Sequence, residues 1–345
     1  MLKASYKKYL LNFKQASGTS RGILKTKETF LIYISNNHKK GIGECGLFRG
    51  LSADDRPDYE EKLQWTCENI QLGLTTLLKE LIEFPSIQFG LEQAFLSLKS
   101  VNPFELFPTD FVHKNSPIAI NGLIWMGDAK FMQKQIEEKL ELGFKTLKLK
   151  IGAIDFAKEC NLLQSIRKRY SANEIELRVD ANGGFTPEEA LEKLNRLSEF
   201  DLHSIEQPIK QGQFEKMAEL CAKTPLPIAL DEELIGVFQK SEKEKIIEQI
   251  KPQYIILKPS LVGGINGSSE WIEISEKNNI DWWITSALES NIGLNAIAQW
   301  TAHLKTTMPQ GLGTGGLFTN NFESPLYVDK GALWYHDSSE WKLKL

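Results

Sequence analysis

Asp180, Glu206 and Asp231 fall at nearly equal intervals, and each closes a short apolar run. A lysine holds the same relative position one interval earlier, Lys150, and another one interval later, Lys258. Three carboxylates brought to one point favour a hard divalent cation, Mg²⁺ above all, with Mn²⁺ as the alternative. A lysine on either side of that cation can take and return protons on a substrate that carries a carboxylate. The chemistry to expect is that of an enzyme acting on a small-molecule acid.

The neighbours sharpen the picture. In Arg178-Val179-Asp180-Ala181-Asn182 an extended backbone puts Arg178, Asp180 and Asn182 on one face, so Asn182 can brace the Asp180 carboxylate or a bound water. Asp231 is followed by Glu232 and Glu233; Asp231 is the expected ligand because it ends the apolar run. One carboxylate before a loop is usually surface solvation or a helix cap, but three in register argue against that. Alternation in Lys148-Leu149-Lys150 turns both lysines to one side. On a closed barrel that side is the interior, where ammonium groups need a reason to be. Burial and the second positive charge should lower the Lys150 pKa towards that of a general base. The bland alternative is an edge strand with solvated lysines. Lys258, after Ile255-Ile256-Leu257, is either the opposing acid/base or a fixed cation. Ser286, Glu289 and Ser290 can hydrogen-bond a substrate, and the glycine-rich 311–316 stretch can offer backbone N–H groups to a carboxylate. Such loops are as often plain tight turns.

These groups need strands to carry them. From residue 117 the pattern predicts strands at 118–123, 146–150, 176–180, 204–206, 228–231, 254–258, 282–286 and 307–312. Helices are predicted between them at 130–142, 155–170, 187–200, 214–221, 242–249, 268–277 and 293–303. Thr186-Pro187 with Glu188 and Glu189 is a strong helix start, and Asp155 can cap another. A doubly wound sheet would share this alternation. Charge placement favours a barrel, because at least five successive strands end in reactive groups that a closed ring gathers at its C-terminal face. Before residue 117, strand-like runs at 30–35 and 41–45, a turn at 36–40 and helices at 59–81 and 90–97 suggest an α+β unit. Residues 14–22 read as a solvated loop or as a flap over a substrate.

The 345 residues suit a barrel plus a smaller domain. A net charge of −4 gives no case for nucleic acid, and no G-x-G-x-x-G or P-loop opens the chain, so nucleotide binding has no motif behind it. No apolar run approaches the ~18 residues of a membrane span. Four scattered cysteines without C-x-x-C spacing, and a start with no signal-like segment, make the cytoplasm the expected location. A monomer and a homodimer are equally compatible with the sequence.

Taken in order, the K-x-K of Lys148 and Lys150, the D-x-N of Asp180 and Asn182, Glu206 in Ile205-Glu206-Gln207-Pro208, Asp231 and Lys258 resemble the enolase superfamily, in its muconate-lactonizing-like subgroup. Lysine bases working with Mg²⁺-stabilised enediolates are the known chemistry of that superfamily, so the mechanism is recognised by likeness. The resemblance implies a modified TIM barrel, (β/α)7β, at 111–316, under an α+β capping domain at 1–110. A C-terminal segment, 317–345, would pack back on the cap. It further implies Mg²⁺ on Asp180, Glu206 and Asp231, with Lys150, Lys258 and Lys148 catalytic. Substrate contacts would come from Asn182, Ser286, Glu289, Ser290, Gly313, Thr314 and Gly315, and from Ser20 and Arg21 of the capping loop. Through Ser286–Gly293 and Gly311–Gly315 it points to syn-dehydration of 2-succinyl-6-hydroxy-2,4-cyclohexadiene-1-carboxylate to 2-succinylbenzoate, through an enediolate, in menaquinone biosynthesis. The rival is an N-acylamino acid racemase or dipeptide epimerase using both lysines. Those epimerases carry an Asp-x-Asp type sequence where this chain has Gly313-Thr314-Gly315, which offers no anion to a substrate amine. A barrel kept only for binding would not need so much inward charge.

Overall fold

The N-terminal strands run further than their composition suggests. In the computed structural model, which describes residues 1–19, 22–152, 154–336 and 340–343, β1 (Lys3–Thr19), β2 (Gly22–Ser35) and β3 (Lys40–Cys45) form an antiparallel sheet. The stretch 14–22, expected as a loop, is instead largely a two-stranded arm: Ser17 pairs with Leu24 and Thr19 with Gly22, after a register shift beyond Asn12. Small polar residues made it look like a loop, but a ladder needs only their backbone groups. The base of the arm is tied down by Lys14 N donating to Leu317 O at 2.8 Å and by a bridge between Phe13 and Phe318.

Helices α1 (Tyr59–Glu68), α2 (Leu74–Glu80) and α3 (Pro85–Lys99) cover one face of this sheet. The single helix expected over 59–81 is broken: α1 ends at Glu68, a single turn spans Ile70–Leu72, and Gly73, at φ 78°, sits in a non-helical conformation just before α2. Gly43 of β3 lies against α3, where a Cβ would sit 2.0 Å from the Gly90 carbonyl oxygen. That closeness lets strand and helix backbones nearly touch. A short helix, α4 (Asp110–His113), absent from the sequence-based expectations, leads to the second unit.

There, strand and helix alternate: β4 (Ile118–Ala119), β5 (Gly122–Ile124), α5 (Ala129–Glu141), β6 (Thr146–Lys150), α6 (Phe156–Arg167), β7 (Glu176–Asp180), α7 (Pro187–Ser198) and β8 (Ser204–Glu206). They are followed by α8 (Phe214–Lys223), β9 (Ile228–Leu230), α9 (Lys240–Ile250), β10 (Tyr254–Leu257), α10 (Gly264–Lys277), β11 (Asp281–Ile284) and α11 (Asn291–Leu304). Asp128 and Asp155 cap α5 and α6, and Thr186 with Glu189 forms a capping box on α7. The strands from β5 to β11 are parallel neighbours in order. Leu177, Val179 and Ile205 point outward and are fully buried against helix residues such as Leu163, Leu194 and Leu197. Each such side chain contributes about 1.5–3 kcal/mol by leaving water.

The expected last strand at 307–312 is not regular, since Pro309 has no N–H to give, yet its backbone closes the ring. Asn121 N donates to Gln310 O at 2.9 Å on one side, and Gly311 N donates to Ile284 O at 2.8 Å on the other. The expected strand 118–123 is likewise split. Its first half, β4, pairs antiparallel with β13 (Ala332–Tyr335), itself the partner of β12 (Leu326–Asp329). The result is a (β/α)7β barrel with an N-terminal capping subdomain. Near the C-terminus Trp341 stacks on Phe104 with ring centroids 4.3 Å apart. No helix among the described residues is long and apolar enough to cross a membrane.

Two buried carboxylates of the N-terminal unit dock it onto barrel helices. Glu44 accepts from Ser290 N and Gly293 N, both at 2.9 Å, at the start of α11. Glu92 accepts from Ile265 N and, at 2.9 Å, from Asn266 N at the start of α10. Helix N-termini have unpaired N–H groups, and each buried carboxyl group supplies the acceptors they lack.

Candidate active site

The register of the parallel sheet builds the site. Lys150, Asp180 and Glu206 are aligned across β6, β7 and β8, so their side chains share one level and one face. Asp231 directly follows β9 and Lys258 directly follows β10. Carboxylate oxygens of Asp180, Glu206 and Asp231 all lie within 4.8 Å of one another, and all three residues are buried. Among the described residues Glu206 Oε1 has no hydrogen-bond partner. A buried carboxylate oxygen left bare, inside a ring of three acids, fits a cation with hard oxygen ligands.

Ammonium groups crowd the same acids. Lys148 Nζ touches Glu206 and lies 2.9 Å from Asp180 Oδ2; Lys150 Nζ lies 2.6 Å from the same oxygen; Lys258 Nζ touches Asp231. Burial by itself would push the Asp180 carboxyl up, but Lys148 and Lys150 outweigh it and hold the group well below the usual carboxylate range. Glu206 goes the other way: burial, reinforced by repulsion from Asp180 and Asp231, pushes it up to about 8 against the pull of Lys148. For Lys148 and Lys258 burial pulls the pKa down, yet the adjacent carboxylates prevail and both end up raised.

Supporting residues fix these side chains. Asn182, in the left-handed region at φ 45°, donates its backbone N–H to Asp180 Oδ1 at 3.0 Å. Its amide accepts from Lys150 Nζ at 2.8 Å and donates to Glu232 Oε1 at 3.0 Å. Gln207 accepts from the backbone N–H groups of Asp231 and Glu233, both at 3.2 Å, and donates to Glu233 Oε2 at 2.9 Å. Of the acidic run 231–233, then, Asp231 joins the triad, Glu232 faces the cavity and Glu233 stays behind with Gln207.

Above the triad lies a cavity of about 150 Å³ that Lys148, Lys150, Asn182 and Lys258 line on the barrel side. Ser286, Gly313 and Thr314 also line it, with Ser286 Oγ 2.8 Å from Thr314 Oγ1. The other expected contacts are placed elsewhere. Glu289 is fully buried behind the cavity, accepting from Ser260 Oγ at 2.5 Å and from Ala287 N at 2.7 Å. Ser290 caps α11 and donates to Glu44 at 2.5 Å. Gly315 packs against Asn291, and its carbonyl accepts from Asn321. Ser20 and Arg21 lie outside the described residues. The apolar wall of Phe48, Leu51, Trp125 and Leu288 was not anticipated, and only the aromatic residues near loop ends gave any hint of it.

The chain matches known proteins along most of its length. Residues 131–338 match the family described as enolase C-terminal domain-like. It is 46% identical to an o-succinylbenzoate synthase of Desulfotalea psychrophila, over 96% of this chain and 98% of that one. The crystal structure of MenC from the same organism superposes with a TM-score of 0.86 at 44% identity, covering 96% and 99% of the two chains. An L-Ala-D/L-Glu epimerase of Bacillus subtilis is 29% identical over 50% of this chain and 46% of its own. The substrate-liganded structure of the L-Ala-D/L-Glu epimerase from that organism covers 96% and 95% with a TM-score of 0.81 at 18% identity, a likeness of fold.

Proposed function

The chain belongs to the enolase superfamily, among its o-succinylbenzoate synthases, and on that premise we propose how its site works. It removes water from 2-succinyl-6-hydroxy-2,4-cyclohexadiene-1-carboxylate to give 2-succinylbenzoate, a step of menaquinone biosynthesis. The observation that carries this reading is the convergence of three buried carboxylates on one point, with Lys150 against Asp180, Lys258 against Asp231, and both lysines lining the adjoining cavity. Asp180, Glu206 and Asp231 would hold Mg²⁺, and Mn²⁺ suits the same oxygens. Bound there, the cation supplies positive charge that stabilises the negative charge developing on the ring carboxylate.

Lys150 Nζ takes the proton from the ring carbon that bears the carboxylate. The C–H electron pair moves into the carboxylate to give an enediolate, then returns to form the new ring double bond as the bond from the neighbouring carbon to its hydroxyl breaks. Lys150, now carrying the proton, delivers it to the departing hydroxyl on the same face, and water leaves. Asn182 orients the Lys150 amine through its 2.8 Å hydrogen bond. Lys258 stays protonated beside Asp231 and faces the developing charge from across the ring, while Lys148 holds Asp180 and Glu206 in place. Ser286, Thr314 and the backbone at Gly313 contact the substrate. The apolar wall of Trp125 and Leu288 lies along its ring.

Residues 1–110 serve as the cap over a barrel at 111–316, and the C-terminal segment from residue 317 packs back on the cap. All the residues that build the site come from one chain, so a monomer suffices and a homodimer would hold two independent sites. The four cysteines are free and buried, which suits the cytoplasm. The test is direct assay of the purified chain with Mg²⁺ and the cyclohexadiene acid, following the rise of aromatic absorbance. No rise above the uncatalysed rate would overturn the assignment. Two amines on one cavity also support racemisation of N-acylamino acids, which exchange of the α-proton in D₂O would reveal.

A further inference from the structure

Lys27 is an unusual buried cation. It sits on β2, is 6% exposed, and its Nζ is enclosed without a hydrogen-bond partner. Strand alternation puts it on the same face as Thr29, whose hydroxyl donates to Glu44 at 2.9 Å. The Glu289 side chain and Glu44 Oε2 crowd the same side of Gly293, and burial pulls the Lys27 amine down while the charges of Glu44 and Glu289 oppose this. An ammonium in such a place is costly unless its charge is balanced and used.

Glu289 is where that charge acts on the site. One of its oxygens takes the hydroxyl of Ser260, two residues beyond Lys258, and the other takes the N–H of Ala287. Ala287, Ser286 and Leu288 line the cavity, and Leu288 is held in the left-handed region at φ 62°. A leucine in that conformation persists only where its surroundings impose it. Burial works to neutralise Glu289, and the Lys27 charge opposes this.

We propose that Lys27 is a positioning residue: its buried amine, unpartnered among the described residues on the face of β2 that carries Thr29 and so meets Glu44, offsets the charge gathered at Glu44 and Glu289, and Glu289 in turn fixes the Ser286–Leu288 turn that receives the substrate. The N-terminal sheet thereby sets the shape of a barrel loop without touching the reacting atoms. The inference rests on the dehydration reading above, and the assay separates the two. An inactive wild-type chain would sink that reading, whereas an active wild type with unaltered variants would sink only this one.

The experiment compares steady-state kinetics of Lys27→Met, Lys27→Arg, Glu289→Gln and the Lys27→Met/Glu289→Gln double variant, with Mg²⁺ titration of each. Lys27→Met should raise KM at least about fivefold, with kcat and Mg²⁺ affinity within about threefold of wild type. Lys27→Arg should restore KM to within about twofold, because it returns the charge. Glu289→Gln should match Lys27→Met, and the double variant should be no worse than the poorer single, as expected for residues acting through one another. A KM unchanged in Lys27→Met, or single defects that multiply in the double variant, would overturn the proposal. So would loss of Mg²⁺ binding together with kcat in Lys27→Met while Arg fails to rescue. Should Lys27→Met not fold, an unchanged KM in Glu289→Gln refutes the idea alone.

Discussion

Lys150 Nζ donates to Asn182 Oδ1 across 2.8 Å, joining the end of one barrel strand to the loop beyond the next. The same amine lies 2.6 Å from Asp180, so the proposed base and a carboxylate of the acidic triad are held as one unit. Any account of turnover has to treat their positions together.

Lys150→Ala should lower kcat by about a thousandfold or more, since no other described group shares its contact with both Asp180 and Asn182. Mg²⁺ affinity should change little, because all three carboxylates remain. Stopped assays of aromatic product, paired with calorimetric Mg²⁺ titration, test both halves. A kcat near wild type would remove Lys150 as the base.

Gln207→Leu should weaken Mg²⁺ binding by about tenfold, with a smaller effect on kcat at saturating metal. Gln207 touches none of the substrate-facing groups, yet it fixes the backbone at Asp231 and the carboxylate of Glu233. Residues that orient ligands typically matter to that degree. Wild-type affinity in this variant would show that Asp231 needs no such brace.

The grouping of the acidic triad with the two lysines was legible because a strand end is a local feature: an apolar run, then one charge, repeated at even spacing. Glu289 and Ser290 misled for the opposite reason. Their partners, Ser260, Glu44 and the start of α11, are remote in sequence, so no local pattern could say that they face away from the cavity. The irregular closure at Gln310 and Gly311 and the extended β1–β2 arm were hidden likewise, because backbone pairing ignores side-chain polarity. Gly73 was the exception, a visible breaker inside an otherwise helical stretch.

Glu44→Ala should destabilise the folded chain by about 3–5 kcal/mol. Glu44 is fully buried and accepts from Thr29, Ser290 and Gly293. Its removal leaves the N–H groups of Ser290 and Gly293 at the start of α11 without their acceptor and takes away the anion at that helix terminus. Urea unfolding followed by circular dichroism measures the loss. Glu44→Gln, which keeps acceptors but not charge, should fall between the two. A loss under about 1 kcal/mol would mean that water replaces the carboxylate without penalty.

Glu92 should make stability fall as pH rises from mildly acidic to mildly alkaline. Burial pushes its carboxyl up to about 8, although the N–H groups of Asn266 and Ile265 pull it down. An unfolded glutamic acid ionises near the ordinary value of 4.5. Between these two values the folded chain therefore holds a proton that the unfolded chain has released. The stabilisation is complete below the unfolded value and disappears as pH passes the folded one, with a slope of at most about 1.4 kcal/mol per pH unit. Glu92→Gln cannot titrate, so its unfolding free energy should decline less than that of wild type between pH 5 and 8.5 (roughly the window these two values set). Urea denaturation at fixed excess Mg²⁺ would compare the two chains while keeping the metal triad out of the difference. Parallel slopes in the two proteins would show that Glu92 is ionised throughout and that the α10 terminus, rather than burial, governs it.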